Sequence, residues 1–104
     1  MNKRLEMLKQ LTASGQADSF AWYALAMELR KTGEPEAAVA TFAKLRDQDP
    51  EYLPMYLMAA QTLIEVELES DAKPWLNQGI ELAKRKGDTK ALSELSDALA
   101  QLPS

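Results

Sequence analysis

The chain has 104 residues, 46% of them hydrophobic and 27% charged, which is the balance of one ordinary water-soluble globular domain. A net charge of −4 argues against a nucleic-acid surface, the basic run Lys84-Arg85-Lys86 being too small for one, and the lack of cysteine excludes disulfides and thiolate metal sites and suits a reducing compartment. The first residues lack the apolar run of a signal peptide, and nowhere do about 18 apolar residues run together as a membrane span requires, so a cytoplasmic protein is expected.

In chain order the punctuation marks about six helices and no segment alternates like a strand. Leu5, Leu8 and Leu11 recur at helical spacing, and Gly15 offers the left-handed residue that ends such a segment. Asp18 or Ser19 caps a second helix running through Leu25 and Leu29 to Gly33. Pro35 opens the third, flanked by Glu34 and Glu36 at the positive end of the helix dipole; it turns Ala38, Phe42 and Leu45 inward and ends before Pro50. A fourth begins near Tyr52 or Leu53, holds Pro54 in its first turn and reaches about Val66. Ser70 is expected to cap the fifth, with Pro74 early enough to leave no hydrogen bond unmade. Lys84, Arg85 and Lys86 end that helix at its negative pole before Gly87. Asp88 caps the last, whose Leu92, Leu95, Leu99 and Leu102 form one stripe. Short connections make neighbouring helices antiparallel.

One set of intervals recurs. Trp22-x2-Leu25-Ala26-x2-Leu29 is followed by Ala38-x3-Phe42 and Pro50, and a looser copy stands 34 residues later as Tyr56-x2-Ala59-Ala60-x2-Leu63 and Ala72-x3-Leu76. The first copy resembles the tetratricopeptide repeat pattern closely, departing at Ala26 and Leu29; the second has Lys84 where the proline would stand. The resemblance implies an all-α, α-α superhelix in a single domain spanning 1–104. Its expected parts are an N-terminal capping helix at 1–15, repeats at 19–50 and 53–86, and a C-terminal capping helix at 88–102. Ala26, Ala38, Ala60 and Ala72 let the helices of each pair approach closely, with Phe42 and Leu76 filling the space between successive pairs. Without the proline the fifth helix should run on to Gly87.

The same resemblance implies a function. In this architecture the first helix of each pair lines a concave face that usually holds a partner peptide or protein. That places Phe20, Tyr23, Met27 and Arg30 of the first repeat, and Leu57, Gln61 and Ile64 of the second, in an apolar groove suited to hydrophobic anchors. The alternative is a self-associating structural protein whose groove is buried in a homodimer, because about three repeats are usually needed for a stable stack. Trp75 reads first as folded against the C-terminal helix and second as an exposed contact anchor, its counterpart one period earlier being Thr41.

Several sharper functions are set aside. One variety of the family grips a C-terminal carboxylate with groove-lining Asn and Lys; here the asparagines are Asn2 and Asn77, off the groove helices, and Phe20, Ala24, Leu57 and Met58 stand in the groove. The run Glu65, Glu67, Glu69 and Asp71 reads as solvated surface, so no metal site is expected, and no cofactor. Ser70-x-x-Lys73 and Lys31-Thr32-Gly33 resemble short motifs of penicillin-recognising enzymes, but in the wrong order and on helix ends. With neither His nor Cys in the chain, no catalytic residue is expected.

Overall fold

The computed structural model describes residues 2–103. Six helices follow one another: α1 (Lys3–Ala13), α2 (Ser19–Lys31), α3 (Pro35–Gln48), α4 (Pro54–Glu65), α5 (Glu69–Lys86) and α6 (Thr89–Ala100), with no strand among the described residues. No helix among them is long and apolar enough to cross a membrane.

The chain divides into two compact units, Met1–Tyr52 and Leu53–Ser104. In the first, α2 packs against both α1 and α3; in the second, α5 packs against both α4 and α6. Ala26 and Ala38 in the first unit, and Ala59, Ala60 and Ala72 in the second, have no exposed surface. Side chains of one carbon there let backbones approach closely enough to exclude water. Phe42 and Leu45 fill the first core and Met55, Leu76 and Leu82 the second, each at most 2% exposed.

Local signals set the helix starts and stops. Asn2, Asp18 and Asp88 each accept a backbone N–H three residues on, from Leu5, Ala21 and Ala91 at 2.9 to 3.0 Å, satisfying one of the orphan donors of a first turn. Ser19 serves instead as a tie across the unit, donating its hydroxyl to Asp49 at 2.6 Å. Pro35 and Pro54 take first positions, where a missing N–H leaves nothing unmade.

Four expectations are corrected. Leu11 is 40% exposed; the inward row of α1 is Leu5, Leu8 and Thr12, the last silent as an apolar signal because its hydroxyl bonds the Leu8 and Lys9 carbonyls. Ser70 does not cap α5, which begins at Glu69 behind Leu68 with no side-chain cap. Pro74 therefore falls beyond the first turn, and the carbonyl of Ser70, an exposed residue, loses the N–H it would have received within the helix. Leu102 lies past the end of α6, half-buried. The extension of α5 is as expected: it has 18 residues against 14 in α3, and ends at Gly87 with φ 69°.

Three helices end in one geometry. After α2, α4 and α5 the N–H groups of Glu34, Leu68 and Asp88 reach back to the carbonyls of Leu29, Leu63 and Ala83 at 2.9 to 3.0 Å. The left-handed residue this requires is Gly33 after α2 and Gly87 after α5, but after α4 it is Glu67, with φ 63°. Glu67 stands one period after Gly33 and has the Cβ that glycine lacks, besides a negative charge at the negative end of a helix. Glu67→Gly should stabilise the protein by about 0.5–1 kcal/mol, after the extra freedom glycine gives the unfolded chain. Thermal unfolding followed by circular dichroism would show a midpoint a few degrees higher, and the reverse exchange Gly33→Glu should lower it.

Candidate functional site

The structure puts the four proposed groove residues of the first unit on α2, in different settings. Phe20 is 64% exposed. Met27 and Arg30 are half-buried. Tyr23 is half-buried too, its ring centroid 6.1 Å from that of Phe42 and 5.4 Å from that of Tyr52. Burial pushes the Tyr23 phenol above its ordinary range; Tyr52 adds to the rise and the Arg30 charge opposes it. Tyr23 is thus partly a core residue, joining α2 to α3, with only part of its ring facing outward.

Phe20, Tyr23 and Met27 line a cavity of about 280 Å³ together with Ala24 and, at its edges, Arg4, Glu28 and Lys31. Arg4 comes from α1, so this hollow lies between α1 and α2. Glu28 is the hinge of that contact. Its carboxylate accepts the Asn2 amide at 2.9 Å and faces Arg4 Nε at 3.3 Å, with 10% of its side chain exposed. The Asn2 hydrogen bond is the main cause holding its carboxyl below the usual range, against the effect of burial, and Lys31 and Arg4 assist. Asn2 therefore caps α1 and fastens it to α2 with one side chain. Sequence reading missed this, since an Asn just before a helix signals a cap, but nothing in the chain signals its partner 26 residues away.

In the second unit Leu57, Gln61 and Ile64 are half-buried on α4, in the row that a helix period predicts. Met58 is half-buried as well. Trp75 is corrected as a contact anchor: it is 5% exposed, with its ring centroid 6.0 Å from that of Tyr56 on α4. It is a core side chain, in ring contact with α4. Glu65, Glu67 and Asp71 are exposed and Glu69 half-buried, and no group of three potential metal ligands occurs among the described residues. Ser70 is exposed in the first turn of α5, while Thr32 and Gly33 close α2. Thr32 and Gly33 serve a helix end, while Ser70 makes no cap.

The tetratricopeptide repeat profile matches residues 20–62. A tetratricopeptide repeat domain protein from Salinibacter ruber, in its crystal structure, is 36% identical and superposes with a TM-score of 0.75 over 82% of this chain and 94% of that one. The chain belongs to the tetratricopeptide repeat family. A solution structure of a tetratricopeptide repeat domain protein from the same organism is 37% identical, with a TM-score of 0.76 over 81% of this chain and 85% of that one. A protein of Bordetella parapertussis, 22% identical with a TM-score of 0.81 over 97% and 88% of the two chains, shares the fold. No match is found among curated proteins. α2 packs against α3, and α4 against α5.

Proposed function

We infer that this tetratricopeptide repeat protein is a cytoplasmic adaptor, binding a peptide or protein through the outward faces of its first helices, with no catalytic step of its own. The fold is in general a protein-interaction module. The observation that supports the finer reading is Phe20, a large aromatic side chain left 64% exposed beside a hollow lined by Tyr23, Ala24 and Met27. Aromatic side chains are enriched in interface hot spots and carry much of the energy of interfaces. In the second unit Leu57, Gln61 and Ile64 supply the corresponding face of α4. The repeats are taken as 19–50 and 53–86, with α6 covering the end of the second.

The test is quantitative capture. The tagged protein is used to recover partners from its native host, and recovery is compared with Phe20→Ser and, separately, with Leu57→Ser/Ile64→Ser. The expected result is one reproducible partner whose recovery falls by about tenfold or more in each variant, the size of a moderate interface contact. Recovery unchanged in both, with helicity retained, overturns the reading. A homodimer at micromolar concentration that dissociates in Leu57→Ser/Ile64→Ser would assign the α4 face to self-association instead.

A further inference from the structure

The 34-residue register that aligns the helix pairs also aligns α1 with the second helix of each pair. Arg4, Met7, Leu8 and Leu11 of α1 correspond to Ala38, Thr41, Phe42 and Leu45 of α3, and to Ala72, Trp75, Leu76 and Gly79 of α5. On α3 and α5 this row holds buried residues: Ala38, Phe42, Leu45, Ala72 and Leu76 have no exposed surface, and Trp75 has 5%. α3 packs against the first helix α2, and α5 against the first helix α4. On α1 the same row is open, with Met7 67% and Leu11 40% exposed and Leu8 half-buried. Beside it lies the 280 Å³ hollow that Arg4 shares with Phe20, Ala24 and Met27 of α2. α1 thus covers α2 with one face and leaves bare the face that its counterparts keep under a helix.

The other end of the chain is built differently. The buried Tyr56, Ala59, Ala60 and Leu63 of α4 correspond one period on to Lys90, Ser93, Glu94 and Asp97 of α6, all exposed. A polar outer face is what closes a solenoid to further stacking.

We propose that the trough formed by the bare face of α1 and the Phe20–Met27 edge of α2 seats an amphipathic helix from a partner protein, one with small and aliphatic residues on one side and carboxylates beside them. The shape follows from the register, since a helix with buried small residues, Ala26 on α2 or Ala59 and Ala60 on α4, packs against α3 or α5. The charge follows from the rim. Arg4 has a side chain 64% exposed, and engages Glu28 through Nε while its guanidinium carries further N–H donors. Lys31 is exposed at the same hollow. The one carboxylate there, Glu28, is turned inward to Asn2 and Arg4. A protein of net charge −4 thus presents cations at this edge, which favours an acidic ligand and disfavours a basic one. The proposal rests on the fold being an interaction module, but uses a different surface from the α4 face.

The probe is a fluorescein-labelled peptide copying residues 18–33, the segment that packs on α3, carrying Arg30→Glu and Lys31→Glu. Its titration with the full chain is followed by anisotropy. Saturable binding is expected, weakened by about tenfold or more by Met7→Asp/Leu11→Asp and by Lys31→Glu in the protein, the latter recovered when the peptide keeps its native Arg and Lys. Leu57→Ser/Ile64→Ser should leave probe binding unchanged. Should the aspartates reduce helicity, Met7→Gln/Leu11→Gln carries the same expectation. No saturable binding, or binding indifferent to Met7 and Leu11, overturns the proposal. So does a dimer seen by light scattering that Met7→Asp dissociates, because the seat then belongs to a second copy. Probe binding lost in Leu57→Ser/Ile64→Ser alone would sink this proposal and leave the α4 reading standing. A native partner sensitive only to Met7 and Leu11 would do the reverse.

Discussion

Replacing Phe42 with alanine is expected to bring this protein close to unfolding. The side chain has no exposed surface, and its ring lies 6.1 Å from that of Tyr23, inclined at 59°. Truncation removes the transfer energy of the ring and leaves a cavity that α2 and α3, held by their small contact residues, can close only in part. Changes of this kind cost about 3–5 kcal/mol, and a single domain has about 5–15 kcal/mol in all. Thermal unfolding should drop by at least about 12 °C, at about 4–8 °C per kcal/mol for a domain of this size. Leu11→Ala is the control, because helical spacing alone would place Leu11 in the core too. With 40% of its surface exposed, it should lose under about 1 kcal/mol. Equal losses for the two variants would contradict the placement of α1.

Gly79→Ala is the second result with a large expected effect, and its sign is the informative part. Glycine within a helix is about 1 kcal/mol less favourable than alanine, so on propensity alone the change should stabilise α5. The packing argues the other way. A Cβ at position 79 would stand 2.8 Å from the Tyr56 Cβ and 2.9 Å from a Leu95 methyl carbon. The leucine methyl can rotate aside, but the Tyr56 Cβ is fixed to the backbone of α4, so the helices must separate. Overpacking of this kind costs about 1–3 kcal/mol, which exceeds the propensity gain. The expected net is a loss of up to about 2 kcal/mol, read from denaturant midpoints with the slope unchanged. A stabilised variant would mean that α4 and α6 do not meet α5 this closely.

These cases show where sequence reading works and where it stops. Helix ends were legible because their causes are local: Asp18, Pro35, Pro54, Gly33, Gly87 and Asp88 act within a few residues of themselves. The pairing of helices was legible because the 34-residue recurrence repeats the contact alanines with their spacing. Leu11 and Thr12 show the limit of periodicity on a short helix, where two neighbouring rows compete and a threonine can bury by bonding its own backbone. Gly79 shows another, since a helical glycine reads as a tolerated defect until three helices are seen to converge on it. For the candidate site, Phe20, Met27, Leu57, Gln61 and Ile64 were found on the expected helices with surface to offer. Tyr23 and Trp75 were partly or wholly drawn into the cores by aromatic neighbours distant in sequence.

By itself, then, the sequence determined the helix count, the breaks between helices, the paired architecture and the extension of α5, all of which depend on local chemistry or on a repeated pattern. Only the tertiary structure decided which apolar side chains are spare. Exposure is a property of the row next door, and no spacing along α1 reveals that, among the described residues, no helix lies upon the face of Met7 and Leu11.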